Sequence, residues 1–300
     1  FAKNGVELHT EKDGRMFPTT NNSETIIDCF LRKIQQYKIQ VLTQHEVIDI
    51  VSNTNNSQQF TIHLQGKPNM QADAVCLATG GMLKADKLPW LTNFGHTIVD
   101  PVPSLFTFNL VDKNITTLMG VAVDNATIQW KGVKNIEKGP LLITHWGMSG
   151  PAVLKLSAFG ARILADKNYQ YNVEVNWLSR PKDKVLNVLL NLKKKEPRKT
   201  VILKSPFAEV SKRLWERFVV ASGIKPTQNW ADLNNSQLEN LANQLTEGVF
   251  NANGRTTFKD EFVTAGGIDL KEINFKRFES KLHKNLFFAG EVLNIDAVTG

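Results

Sequence analysis

Two short apolar runs in this 300-residue sequence end in glycine, and such endings let bare backbone meet a phosphate or a sugar. One is Leu286-Phe287-Phe288-Ala289, which runs into Gly290-Glu291. The other is Ala72-Asp73-Ala74-Val75-Cys76-Leu77-Ala78-Thr79, which runs into Gly80-Gly81. Apolar runs of this length suit buried parallel strands, and open α/β sheets bind ligands at the carboxyl ends of such strands. The two glycine tips are therefore expected to line one crevice. A carboxylate accepts hydrogen bonds and donates none, so Glu291 suits a ribose or ribityl hydroxyl. Gly266-Gly267 is a third pair beyond an apolar stretch. Arg15, in the turn around Asp13-Gly14, can pair with a phosphate or carboxylate or face solvent.

The densest segment is Thr144-His145-Trp146-Gly147-Met148-Ser149-Gly150-Pro151. A strand is expected to end at Thr144-His145, with Ser149 or Gly150 capping a helix that carries Pro151 in its first turn. The free N–H groups there can receive an anion or a ligand carbonyl. His145 and Ser149 are the candidate catalytic residues, two polar groups placed to approach one another beside a ligand. A nucleophilic triad is not expected, because no acidic partner and no Gly-x-Ser-x-Gly elbow accompany them. The six histidines are scattered without metal-ligand spacing, so no metal site is expected.

The elements that must position these residues follow from periodicity. Ile26, Ile27, Phe30, Leu31 and Ile34 predict a helix over 23–38 with Ser23 as its cap. Strands are expected at 39–42, 46–51 and 60–64, then at 72–79. Pro101 and Pro103 read as a linker. Short strands at 105–111, 120–123, 127–131, 141–145 and 171–178 suggest a small antiparallel unit. Residues 182–248 read as helical, with leucine and aromatic stripes for a core, and 261–268 as strand again.

The bulk numbers set limits. At 42% hydrophobic and 22% charged, the chain has the composition of a soluble globular protein of two or three units. No apolar run approaches the ~18 residues of a membrane span, so no membrane partner is expected. Cys29 and Cys76 read as buried thiols in a reducing compartment, which points to the cytoplasm. The net charge is +7, with much of the excess in Lys193-Lys194-Lys195-Glu196-Pro197-Arg198-Lys199. That cluster reads as a solvated helix end rather than a nucleic-acid patch, because no aromatics are interleaved with it. The sequence begins at Phe1 in mid-pattern.

In order and spacing, these motifs resemble the BaiN/YhiN-like flavoproteins, an FAD-dependent oxidoreductase family that includes aminoacetone oxidases. The residues that carry the resemblance are Gly14-Arg15-Met16-Phe17-Pro18, Ala78-Thr79-Gly80-Gly81, the Thr144 to Pro151 segment, Ala265-Gly266-Gly267-Ile268 and Glu279-Ser280-Lys281. Gly290-Glu291-Val292-Leu293 completes them, with Asp296 and Thr299-Gly300. The resemblance implies an α/β fold: a glutathione-reductase-type FAD/NAD(P)-binding domain, residues 1–103 and 264–300, interrupted by an inserted domain. The insert would span 104–263, β-rich over 104–180 and helical over 181–255.

It also implies that Thr79, Gly80 and Gly81 lie along FAD and that Gly290 and Glu291 meet its ribityl-pyrophosphate. Thr299 and Gly300 would approach the isoalloxazine and Val47 the adenine, with Arg15 and Asp296 completing the cofactor set. The activity implied is hydride transfer between a small organic substrate and flavin, with NAD(P)H or oxygen as second partner. The alternatives are an RNA-associated flavoprotein related to tRNA-modifying enzymes and a non-catalytic binding module on the flavin fold. Against the family pattern, no Gly-x-Gly-x-x-Gly turn precedes the first motif and nothing follows Thr299-Gly300. A Gly-Ser-Thr-Gly-Asp-Gly loop is missing after Gly81, and Asn294 and Ala297 stand where Asp and Gly are common. The family pattern thus reads as truncated at both ends. These residues alone are expected to bind FAD weakly or not at all.

Overall fold

The computed structural model describes residues 1–11, 14–53, 59–81, 89–131, 135–256 and 263–295. The chain forms two compact units, one of residues 1–53 and 61–71, the other of 54–60 and 72–300. In the first unit β1 (Leu8–Thr10) and β2 (Met16–Pro18) pair antiparallel, and α1 (Glu24–Gln36) follows. A three-stranded sheet then runs in the order β3 (Val47–Ser52), β4 (Phe60–Leu64), β5 (Lys67–Ala72). Ser23 holds the cap position of α1 as predicted, but its side chain makes no capping bond. Ser23 already has helical φ and ψ, and Asn22 accepts the Glu24 N–H through Oδ1 at 2.9 Å. The strand expected at 39–42 does not form, since no neighbouring strand among the described residues bonds to it. Polar β5 has no apolar alternation to announce it.

The second unit opens with β6 (Val75–Leu77), α2 (Pro89–Asn93) and β7 (Ile98–Ser104). The strand expected over 72–79 is therefore only three residues long. It is covered on one face: Val75 and Leu77 are buried and Cys76 is exposed, not buried as expected. The proline segment is a strand, not a linker. Proline survives in β7 because the strand sits in a two-stranded sheet, where ladder N–H groups can be spared, and a bulge lies opposite.

Next come β8 (Thr107–Leu110), α3 (Lys113–Thr116), β9 (Ala122–Trp130), β10 (Ile136–Ile143) and β11 (Gly147–Ser149). After them run α4 (Pro151–Phe159), α5 (Ala161–Asp166) and β12 (Gln170–Asn176). The runs expected at 120–123 and 127–131 are one continuous strand, β9. Helix α4 is capped at Gly150 and stops at Gly160, where only glycine fits because a Cβ would fall on the indole of Trp130.

Helices α6 (Lys182–Lys195), α7 (Lys212–Ala221) and α8 (Asn235–Thr246) then stack on one another. Ser211 caps α7, and Asn234 with Gln237 forms a reciprocal capping box on α8 at 2.8 and 3.1 Å. Strand β13 (Gly248–Thr256) lies inside the stretch expected to be helical over 181–255. It is the strand that closes the barrel, in the order β10-β11-β8-β13-β12-β9, every neighbour antiparallel. Barrel and helices share one apolar core, from Phe106 and Phe108 through Ala152, Leu156 and Trp177 to Trp215, Phe218 and Leu245.

The chain then returns through β14 (Val263–Ile268), β15 (Ile273–Asn274), β16 (Glu279–Ser280) and β17 (Leu286–Phe288). Strand β14 pairs antiparallel with β7, Val263 opposite Ser104 and Thr264 opposite Pro103. A four-stranded sheet runs β15-β16-β17-β6.

Candidate functional site

The two glycine-tipped strands are side by side. Strand β17 pairs parallel with β6, Leu286 opposite Val75 and Phe288 opposite Leu77. The Ala289 N–H extends the ladder to the Leu77 carbonyl at 2.8 Å. Both chains then leave the sheet through glycine in the left-handed region, Gly80 and Gly290 each at φ 75°. A Cβ on either would meet no atom within 4 Å. Gly81 is different. A Cβ there would run into the Thr264 hydroxyl and lie 3.1 Å from the Glu291 carboxylate.

Thr264 is 2% exposed, and its buried Oγ1 has no hydrogen-bond partner among the described residues. Such a hydroxyl is costly unless a ligand or water completes it. It sits with an acceptor-only carboxylate at the ends of two parallel strands. That set fits a ligand that presents hydroxyl groups, as the ribityl and ribose parts of FAD do. Thr264 was missed in the sequence because it stands just before the Ala265-Gly266-Gly267 motif, where the glycines draw the eye. Those glycines carry a backbone crossing. A Cβ on Gly266 would approach Pro101 Cα at 2.6 Å, and one on Gly267 would meet Leu293. Ile268 bridges Leu293 in parallel.

The other predicted site residues are dispersed. Thr79 is exposed beside Gly80. Arg15 lies over the Phe17 ring at 5.5 Å, and Val47 opens β3, both in the first unit. Asp296, Thr299 and Gly300 lie outside the described residues. His145 is exposed at the tip of the β10–β11 hairpin, its ring 4.8 Å from that of Trp146. The turn is held by Thr144 Oγ1, which accepts from the Gly147 N–H at 3.1 Å. Ser149 is half-buried, and its Oγ accepts from Thr107 Oγ1 at 3.2 Å. No hydrogen bond joins His145 to Ser149 among the described residues. Lys281 donates to the Lys271 carbonyl at 2.7 Å.

A buried polar chain backs β17. His96, 3% exposed, packs edge-on against Phe288 at 5.1 Å. Its Nδ1 is 2.9 Å from Glu272 Oε2 and its Nε2 is 3.0 Å from Ser280 Oγ. Glu272 also accepts the Thr97 N–H at 3.0 Å. Burial lowers the imidazole's pKa, against the pull of Glu272. For Glu272, slight burial works upward, but the Thr97 and His96 hydrogen bonds outweigh it and hold the carboxyl low. The pair therefore rests as neutral imidazole and carboxylate, with Nδ1–H donating to Glu272 and the Ser280 hydroxyl donating to Nε2. No sequence pattern announces this chain, whose partners are separated by almost two-thirds of the protein.

Its sign on stability is definite. The unfolded histidine takes up a proton near 6.5 and the folded one only at lower pH, so this contribution is complete above that value and is lost as pH falls toward the lowered folded pKa. Glu272 adds the same direction below its ordinary 4.5. The melting temperature is expected to fall between pH 7 and pH 5, and His96→Phe to flatten that fall. An unchanged slope in scanning calorimetry would assign the acid sensitivity elsewhere.

The parallel pair β6–β17, with each chain leaving through a left-handed glycine, is the arrangement at which open α/β sheets place their ligands. Residues 1–300 match the family described as HI0933-like protein Rossmann domain, and the chain belongs to that family of flavin oxidoreductases. The ribosomal RNA dihydrouridine synthase of Haemophilus influenzae is 26% identical over 318 aligned positions, covering 100% of this chain and 73% of that protein. The Escherichia coli protein of the same name is 25% identical over 309, covering 99% and 72%. The 3-dehydro-bile acid delta(4,6)-reductase of Clostridium scindens is 22% identical over 318, covering 100% and 74%. No helix among the described residues is long and apolar enough to cross a membrane.

Proposed function

We propose that the protein is an FAD-dependent reductase of a carbon–carbon double bond conjugated to a carbonyl, with NAD(P)H as the second partner, or oxygen in the oxidative direction. The observation that carries this is the meeting of Gly81 and Glu291, beyond the paired ends of β6 and β17, with Thr264 of β14. The relatives' names support the bond type, because a dihydrouridine synthase and a bile-acid Δ4,6-reductase both saturate a ring double bond next to a carbonyl.

Bound flavin would supply a ring that takes up and releases hydride. The chain's part is to hold it. Gly80, Gly81 and Gly290 let backbone approach, Glu291 accepts from sugar or ribityl hydroxyls, and Thr264 Oγ1 gains its missing partner. Arg15, Val47, Thr79, Asp296, Thr299 and Gly300 belong to the same proposed cofactor set. Saturating the bond adds hydride at one carbon and a proton at its neighbour, and His145 is the proposed proton source, with Ser149 beside the substrate. Residues 104–263 act as an insert covering that substrate. The pairing of β7 with β14 supports this, because the strands on either side of the insert bond to each other. A cytoplasmic location is part of the proposal.

A second reading takes the substrate to be a uracil in RNA. The two dihydrouridine synthases and the net charge of +7 favour it. The test is anaerobic NAD(P)H oxidation in the presence of FAD, started with a steroid dienone or with ribosomal RNA. Turnover dependent on either substrate supports the reading and tells which one applies. Absence of turnover with either substrate at saturating FAD sinks it. His145→Ala should lower kcat by ~10²-fold or more, and unchanged turnover would remove the proton role.

A further inference from the structure

The end of α6, the turn at Val201–Leu203 and Trp230 enclose a groove of about 600 Å³ lined by no residue of the proposed flavin site. Its walls are apolar, with Val188 and Leu192 on one side and Leu203 on the other, and Leu203 is 67% exposed. Its rim is cationic. Arg198, Lys199 and Lys204 face a single carboxylate, Glu196, which already pairs with Lys199 at 2.9 Å. Arg198 and Lys204 make no hydrogen bond or ion pair among the described residues.

Residues 182–213 hold ten Lys and Arg against three Asp and Glu, an excess of seven that equals the net charge of the whole chain, +7. The rest of the molecule is neutral on balance, so the charge is a local feature. The helix dipole explains part of it. Cations are favoured at a helix C-terminus, and Lys193 is occupied there by the Leu233 carbonyl. It does not explain Arg198 and Lys204, which lie beyond the helix, or the bare leucine between them. Unpaired cations around an exposed apolar floor suit a polymer with a charged backbone and flat apolar side groups. Single-stranded RNA is such a polymer, while a duplex keeps its base faces stacked inside.

We infer that this groove docks a single-stranded segment of RNA, with Arg198 and Lys204 on phosphates and a base against Leu203. The choice of RNA among polyanions rests on the uracil reading above; the groove itself does not. The test is fluorescence anisotropy of a labelled uridine-rich oligoribonucleotide with the full chain across a salt series. Arg198→Ala with Lys204→Ala should weaken binding tenfold or more. It should also lower the slope of log K against log salt by about 1.4, two phosphate contacts at ~0.7 each. Leu203→Ser should weaken binding without changing the slope. Lys271→Ala with Lys276→Ala, which removes the same charge elsewhere, should change affinity less than twofold.

Equal losses from both lysine and arginine pairs would overturn the inference, as would preference for duplex RNA or binding to acidic-lipid vesicles alone. FAD titration of the same variants separates the two proposals. The groove variants should keep wild-type flavin affinity. RNA binding that follows the groove in a chain with no flavin affinity would sink the reductase reading and leave this inference standing.

Discussion

Gly81→Ala is expected to weaken FAD binding at least tenfold and to destabilise the folded chain by about 1–3 kcal/mol, the usual range for overfilling a packed site. The cause is steric. The new methyl would occupy the position of the Thr264 hydroxyl and crowd Glu291. Gly80→Ala is the contrast. Its Cβ meets nothing, and only the left-handed φ of 75° opposes it, at about 1 kcal/mol. Thr264→Ala in the Gly81→Ala background removes the obstructing oxygen and should recover most of the lost stability, giving a coupling measurable in a double-mutant cycle. Because stability is read without ligand and affinity by flavin fluorescence, steric and cofactor effects separate. Additive losses would mean that Gly81 and Thr264 do not meet.

Trp177→Ala is expected to cost about 3–5 kcal/mol, and to lower the melting temperature by roughly 10 °C. Trp177 is fully buried. It packs against Phe218 of α7 at 5.6 Å and Phe250 of β13 at 5.9 Å, and its backbone N–H bonds to the Leu245 carbonyl at 2.9 Å. One side chain therefore fastens the barrel to the helices. Its buried Nε1 has no partner among the described residues, so Trp177→Phe gives up volume without breaking a hydrogen bond and should lose much less. If the alanine variant unfolded in two steps, barrel and helices would be independent, against the single shared core.

What could be read from the sequence was local. The Phe60–Leu64 strand, the glycine tips of β6 and β17, Pro151 in the first turn of α4 and the helices after 182 all follow from short-range chemistry, and the structure has them. Ser23 was legible as the cap of α1, but not that Asn22 beside it would take the Glu24 N–H. Pro101 and Pro103 misled because a two-stranded sheet forgives proline. Barrel closure was not legible: β13 must pair with both β12 and β8, and no periodicity encodes which distant strand a given strand will meet. The same holds for His96, whose partners are Glu272 and Ser280. Of the site, the glycines were legible as pattern, but the Thr264 hydroxyl was not, because its role depends on burial without a partner.

The pairing of Val75 with Leu286 spans most of the chain, whereas the barrel and helices are built from the residues between them. Contacts across so long a stretch carry a large loop-closure cost and form late unless the intervening chain has already compacted. During synthesis, therefore, the barrel and its helices can be complete while β6 still lacks its neighbour and Glu291 has not yet been made. The cradle of Gly81, Thr264 and Glu291 is therefore completed only after the barrel and helices encoded between its strands have been made.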